Sequence, residues 1–413
     1  MRRPLEGIRV LDLTIWQQGT YASAVLADLG ADVIKIEEPV SGDPGRHSTW
    51  RTSVGLNSYF EALNRGKRSL VIDLKRPAGR DVFLRLAAAA DVFISNFRLP
   101  AIERLGLTYD AVSAANPRIV YVQASGYGTL GEGAGEFCMD ILAQARGGFC
   151  SMNGAPDGPP LPAQVPIADQ VGAMNACIGA LTGLVARAAT GRGMKVDTSL
   201  LGSQLAMQSF NITDYLLTGR VRQRRERAGA TPFWRLYRGG DDKWFVIGML
   251  FDRSWTDFVA TIERPDLLAD ERFATFRQRV VEHAPALIEI LDGVFASAPA
   301  RDWVARLNAC GMFAQPAQDY AEVAADPQVL ANGYIHEVER PGHDPVRMVG
   351  IGLSIDDAPV TVRSLAPQHG EHTEAVLLEA GYAWDEIAAL RDQGVVGPMR
   401  PPDESPAPSA SQQ

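Results

Sequence analysis

The 413-residue sequence has only four cysteines, Cys138, Cys150, Cys177 and Cys310, with no CxxC pair and no histidine at a metal-ligand spacing. Neither a zinc knuckle nor a disulfide framework is indicated, and the thiols read as reduced core residues. Positive charge is also short: 40 Lys and Arg against 49 Asp and Glu leave a formal net charge of -9. A bulk nucleic-acid partner needs a surplus of cations on one face and is set aside. Long apolar runs are missing too. No stretch reads as the ~18 uncharged residues of a membrane span, and 172–184 is shorter and rich in Gly and Ala. The opening MRRPLEGIRVLDLT runs into a strand-like segment rather than the apolar core of an export signal, so a cytoplasmic location is expected. There is no GxGxxG after the first strand-like run, no GxxxxGK[ST], no GxSxG and no HExxH. Neither a metal nor a resident cofactor is expected.

What is present is an ordinary globular composition, with 46% hydrophobic and 22% charged residues. A chain of this length exceeds what one hydrophobic core usually serves, so two lobes are expected. Short β-branched runs at 8–13, 32–36, 69–72, 92–94 and 119–122 alternate with helical patterns such as 22–29 and 81–89. Strand, helix, strand in this rhythm predicts an α/β fold with parallel pairing in a Rossmann-like layer. Gly30 stands where a helix would end and Pro77 where one would begin. A long helix is predicted over 169–189, its small residues letting another backbone approach, with Gly191 and Gly193 stopping it before a strand at 195–198.

The charged run RVRQRRER at 220–227 reads as a solvated hinge. Beyond it, a strand at 245–249 and helices at 255–261, 284–295 and 303–310 make a second, smaller α/β unit. Strand signals return at 346–350, and a helix follows at 384–392. The predicted organisation is therefore a large domain begun by 1–219, a linker at 220–230 and a small domain over 231–335. A return linker and the rest of the large domain span 336–396, and a disordered Pro- and Ser-rich tail fills 397–413.

Several blocks carry more than their periodicity. VLDLTIWQQGTYASAVLADLGADVIKIEEPVSGDPGR, NRGKRSLVIDLKRPAGR, ADVFISNFRLPAIERLGLTYDAVSAANPRIVYVQASGYGTLG and RAATGRGMKVDTSLL resemble, in order and spacing, the class III CoA-transferases of the CaiB/BaiF type. That family includes the formyl-CoA and carnitine CoA-transferases and the α-methylacyl-CoA racemases. PDLLADERFATFRQR, DPQVLANGYI and PQHGEHTEAVLLEAGYAWDEIAAL continue the likeness to about Val396. The resemblance implies a Rossmann-like large domain completed by the C-terminal segment, a smaller α/β domain and an interlocked homodimer. It implies transfer of coenzyme A from an acyl-CoA donor to a small carboxylic acid, through an aspartyl anhydride and thioester. Coenzyme A is then a co-substrate, and neither nucleic acid nor membrane is a partner.

On spacing alone Asp169, in AQVPIADQVG, is a helix cap sited where the helix dipole favours a carboxylate. The resemblance makes it the nucleophile. Gln17, on spacing equally a cap for the helix that follows, matches a family residue beside the reacting centre, where an amide would stabilise an oxyanion. Lys75 in IDLK, Asn96, Phe97 and Arg98 in ISNFR, and Arg104 in ERLG match the family's CoA-binding segments. Singly each reads as a surface residue, but the phosphates of coenzyme A call for Lys and Arg.

Some positions depart from the family pattern. Glu38 stands where some transferases place an arginine, and Leu99 and Pro100 replace a proline and glycine after NFR. The longer glycine-rich insertion of formyl-CoA transferases is absent, and Gly239 and Gly240 read as a hairpin turn. Racemases of the family use a His and an Asp in a motif like GHDINY; EFCMDILAQ has Asp140 but Met139 in the histidine's place. A 2-methylacyl-CoA racemase is therefore the alternative reading, with a CoA-ester-binding protein without turnover behind it. Arg235 or Arg238 would suit the second carboxylate of a dicarboxylic substrate.

Overall fold

The computed structural model describes residues 3–224, 231–248 and 252–397. Part of the predicted hinge and nearly all of the predicted disordered tail lie outside them. The described residues fall into two units, divided between Phe149 and Cys150, Leu161 and Pro162, Gly219 and Arg220, and Pro327 and Gln328.

The first unit opens with β1 (Arg9–Leu13), α1 (Gln18–Asp28), β2 (Asp32–Glu37), α2 (Ser58–Asn64), β3 (Arg68–Val71) and α3 (Pro77–Ala87). It continues through β4 (Val92–Ser95), α4 (Leu99–Leu105), α5 (Tyr109–Ala115) and β5 (Val120–Ser125). Next come α6 (Asp140–Arg146), α7 (Phe149–Met152), whose last three residues belong to the second unit, α8 (Ile167–Thr190), β6 (Met194–Ser199), α9 (Leu200–Met207) and α10 (Ser209–Thr218). The strands pair in parallel in the order β3-β2-β1-β4-β5-β6.

Strand β1 shows why the sheet is covered on both sides. Leu11 and Leu13 enter a core with Phe83, Phe93 and Tyr121, while Val10 enters the opposite core with Val25, Val92 and Ala176. Successive side chains of a strand point to opposite faces, so an apolar run must be buried twice.

Helix α8, 24 residues ending at Gly191 in the left-handed region (φ 73°), lies across β5 and β6 beside α1 and α9. A Cβ at Gly183 would stand 2.4 Å from Val120 Cγ1, so glycine sets that approach. By length and composition alone α8 would pass for a membrane span, with a mean hydropathy of 1.3. The apolar segment is thus longer than the run read from the sequence, and its place across the sheet is that of a core helix.

The second unit holds the antiparallel sheet β7 (Arg235–Arg238), β8 (Trp244–Gly248) and β9 (Phe313–Pro316), in that order. With α11 (Trp255–Thr261), α12 (Ala284–Phe295) and α13 (Ala300–Ala309) it encloses an aromatic core of Phe233, Tyr237, Phe245, Phe258, Phe295 and Trp303, and α14 (Tyr320–Ala325) follows without a buried residue. Gly239 and Gly240 lie in the β7–β8 hairpin turn, as read from the sequence.

Then follow α15 (Pro327–Ala331), the hairpin β10 (Ile335–Arg340) and β11 (His343–Val349), the small pair β12 (Ser354–Ile355) and β13 (Ala358–Pro359), α16 (Thr373–Glu379) and α17 (Trp384–Asp392). This segment closes the β3 edge of the first unit's sheet. The His372 N–H donates to the Ser69 carbonyl at 2.9 Å, Thr373 Oγ1 accepts the Val71 N–H at 3.1 Å, and Val396 bridges to Ile72. Val376, Leu377, Ile387, Val395 and Val396 join the core under β1–β4.

Candidate active site at the carboxyl ends of the strands

In a doubly wound sheet the chain leaves neighbouring strands in opposite directions where the order reverses, and a crevice opens beyond their carboxyl ends. Here that point lies between β1 and β4. Residues 14–17 leave β1 and residues 96–98 leave β4, and between them opens a cavity of about 470 Å³ lined by Ile15, Gln17, Tyr59, Asn96, Arg98 and Asp169, among others. A second cavity of about 350 Å³ lies beyond β2 and β3, where Glu38, Lys75 and Arg76 line it. The two share Ile15 and Phe97 as a common wall.

The loop after β1 is fixed by buried polar groups. Trp16 has φ 60°, in the left-handed region that non-glycine residues adopt only when held there. Asn96 clamps its neighbour: Oδ1 accepts the Ile15 N–H at 2.9 Å and Nδ2 donates to the Ile15 carbonyl at 2.7 Å. Asp43 Oδ1 accepts the Trp16 N–H at 3.2 Å, and the other oxygen of Asp43 lies 2.8 Å from Lys35 Nζ. Lys35 also donates to the Thr14 carbonyl at 2.8 Å. Burial alone would lower the Lys35 pKa, but Asp43, Asp12 and Glu37 outweigh it and hold the amine above its usual range. One layer deeper, Asp12 accepts from Lys67 at 2.9 Å and from Ser23 at 2.7 Å.

Gln17 is not a side-chain cap. Its amide makes only a long 3.4 Å bond to Gln170 Oε1 and stays directed at the cavity wall. Asp169 is not the cap of α8 either. Pro166 holds that position and offers no side-chain bond, and Asp169 is the third helical residue. The free N–H groups of the first turn are met from α6: Asp140 Oδ1 accepts the N–H of Ala168 at 2.7 Å and that of Asp169 at 3.1 Å. The Asp169 carboxyl faces a cavity whose other lining includes Phe137, Met139, Ile141 and Leu200. Burial first, and the charge of Asp140 second, push its pKa up to about 7.

Of the residues singled out in the sequence, Asp169, Gln17, Asn96, Phe97 and Arg98 line one cavity, and Lys75 lines the adjoining one together with Phe97. Arg104 is exposed in the last turn of α4 and lines neither, although its neighbour Leu105 does. Glu38 folds onto its own turn, accepting N–H groups from Val40 at 3.0 Å and Gly42 at 2.8 Å and bonding Ser41. Leu99 and Pro100 begin α4, where a proline is accommodated.

In the second unit Arg238 pairs with Asp242 at 2.9 Å, and Arg235 is buried over the ring of Tyr237. Among the described residues no group of three or more His, Cys, Asp or Glu is placed to hold a metal ion. Sequence reasoning missed Tyr59, Asp43 and Lys35. The one available signal was a lysine inside the apolar strand VIKIE, where an unpaired charge would not survive burial.

The profile of CoA-transferase family III matches residues 5–373. The succinyl-CoA–D-citramalate CoA-transferase of Chloroflexus aurantiacus is 30% identical over 397 residues, covering 95% of this chain and 98% of that protein. The formyl-CoA:oxalate CoA-transferase of Streptomyces coelicolor is 32% identical, covering 95% and 99%. Among solved structures, a CaiB/BaiF family protein from Brucella suis superposes with a TM-score of 0.83 at 31% identity, covering 92% of this chain and 100% of that one. With its parallel α/β sheet and this match along nearly its whole length, the chain is an enzyme that belongs to CoA-transferase family III.

Proposed function

We propose that Asp169 is the nucleophile by which this transferase moves coenzyme A from an acyl-CoA to a carboxylic acid. The observation that carries the reading is its carboxyl, set on the first turn of α8 within a largely apolar cavity and poised to ionise near neutral pH. A carboxylate of raised pKa is a better nucleophile than an ordinary one and is still substantially ionised at pH 7.

Attack of Asp169 on the thioester carbonyl forms the aspartyl–acyl anhydride and releases CoA thiolate. The thiolate attacks the aspartyl carbonyl, giving the aspartyl-CoA thioester and freeing the donor acid. The acceptor carboxylate then attacks that thioester, and the thiolate released returns to the acyl carbonyl of the second anhydride. The new acyl-CoA leaves and Asp169 is restored, with no water consumed. Phe137, Met139, Ile141 and Leu200 line the cavity with apolar surface, against which a bound acyl-CoA would leave little room for water at the anhydride. The Gln17 amide, bound only weakly to Gln170, is positioned to donate to the oxyanions.

Two cavities with a common wall suit a long co-substrate whose thioester lies by Asp169 and whose phosphates lie by Lys75, with Asn96, Phe97 and Arg98 along the way. Coenzyme A enters and leaves as a co-substrate, and the reading calls for no resident cofactor. The acids named for the relatives, succinate, D-citramalate and oxalate, make short dicarboxylic acids the first acceptors to test. Large apolar side chains exposed on α8 and α10, among them Ile178, Phe210, Leu216 and Leu217, support a homodimer. A cytoplasmic site of action, where CoA thioesters and organic acids meet, completes the reading. For the racemase alternative, Met139 offers no base beside Asp140.

The test is mass spectrometry after incubation with a panel of acyl-CoAs, with hydroxylamine to trap acyl groups on the enzyme. A hydroxamate or CoA adduct at Asp169 in the wild type, lost in Asp169→Ala, is the expected result. Turnover without any adduct, or α-proton exchange in its place, overturns it.

A further inference from the structure

We propose that Gln144 is a positioning residue for the chemistry at Asp169, acting through Asp140; this rests on the assignment of Asp169 as nucleophile. Gln144 lies one helical turn after Asp140 on the same face of α6, and its side chain is wholly buried. Its Nε2 donates to Asp140 Oδ2 at 2.5 Å, and its Oε1 accepts the Ala163 N–H at 2.8 Å. The remaining oxygen of Asp140 takes the N–H groups of Ala168 and Asp169. Two side chains of α6 therefore hold both the approach to α8 and its first turn. Each oxygen of Asp140 is committed, one to α6 and one to α8, which fixes the carboxylate's rotation.

The consequence is mechanical and electrostatic together. α8 has no side-chain cap from its own N-cap residue, because Pro166 cannot supply one, so the backbone at the nucleophile is held by Asp140 from outside the helix. Gln144, by donating to Asp140, also fixes where that carboxylate's charge sits, and the charge of Asp140 opposes ionisation of Asp169. The other titratable groups facing this cavity are Tyr59 from α2, Glu136 and Cys138 before α6, and Arg98 before α4. Among the described residues none of these four hydrogen-bonds either oxygen of Asp140, so the control passes through Gln144.

Gln144→Met nearly preserves shape and removes both bonds. The expected result is a 10- to 100-fold lower kcat with KM for the acyl-CoA changed less than threefold, a loss typical of a misplaced reacting group. The acidic limb of the kcat–pH profile moves to lower pH, because an Asp140 carboxylate released from Gln144 swings its charge away from Asp169.

Gln144→Glu provides an independent reading if the methionine variant does not fold. When protonated, the new carboxyl donates to Asp140 and restores the bond; when ionised, it cannot. Its activity should therefore fall at alkaline pH, where the wild type stays level. The covalent adduct is measured in a single turnover for all three proteins. No adduct at Asp169 in the wild type means that the nucleophile assignment has failed. An adduct formed at the wild-type rate and with the wild-type pH profile in folded Gln144→Met, or a level alkaline limb in Gln144→Glu, overturns the role of Gln144 alone.

Discussion

Asp43 accepts the backbone N–H of Trp16 at 3.2 Å, and this bond, backed by Lys35 at 2.8 Å, holds a tryptophan in the left-handed region immediately before Gln17. Removing one partner of a buried ion pair costs about 3–5 kcal/mol, because the other charge is left without compensation. Asp43→Ala is therefore expected to lower thermal stability severely. Asp43→Asn keeps an acceptor for the Trp16 N–H but not the charge facing Lys35, so it should lose less stability than Asp43→Ala and still lose activity. Calorimetry beside steady-state kinetics checks this, and an Asp43→Asn enzyme with wild-type kcat would count against it.

Asp169 gives a stability signature of opposite sign to that of an ordinary paired carboxylate. Its pKa is raised in the folded chain to about 7 from a reference of 3.8. The folded state then binds the extra proton between these values, so the stabilising contribution is complete below about pH 4 and is lost as pH rises through 7. Asp169→Asn should match the wild type near pH 4 and be more stable above pH 7, by at least ~1 kcal/mol or ~2 °C in Tm. Melting curves across this range decide the matter; equal Tm values at pH 8 would show that the carboxyl is not strained by burial.

Asn96 uses both ends of its amide on Ile15, whereas Arg104 lines neither cavity. Asn96→Ala should lower kcat/KM by roughly 10- to 100-fold through displacement of the loop that carries Gln17. Arg104→Ala should change it less than threefold. The two variants assayed side by side with one acyl-CoA test this ordering, and the reverse order would return Arg104 to the binding site.

Gly19 in the first turn of α1 leaves no room for a side chain: a Cβ there would lie 2.4 Å from Thr14 Cγ2. Gly19→Ala should destabilise by about 1–3 kcal/mol through overpacking and displace the loop after β1. A drop in Tm together with lost activity is expected, and unchanged values of both would refute the close approach.

The alternation of strands and helices was legible because buried parallel strands run apolar, as in RVLDL and VYVQAS, and because glycines end the helices at Gly30 and Gly191. Helix α6 was not, since seven residues carry too little periodicity to stand out beside a motif whose histidine position holds Met139. Asp169 and Gln17 were found by resemblance; spacing alone made them caps, whereas Pro166 holds the N-cap position of α8 and Gln17 holds that of α1 without a side-chain bond. Trp16 had no signal, because a left-handed backbone at a non-glycine residue is imposed by Asp43 and Asn96 from distant parts of the chain. The Lys35–Asp43 pair was foreshadowed only by an ill-fitting lysine, whose partner is known once the fold is formed.

Edge strand β3 leaves the ribosome early, yet His372, which caps its hydrogen-bonding edge, follows Ser69 by 303 positions. During synthesis the nascent chain therefore carries an unpaired strand edge and an open apolar face until residues 369–396 emerge, a condition that favours aggregation. A message that terminates before residue 369 would yield not a weak enzyme but a chain with no finished sheet, a client for chaperones and proteases.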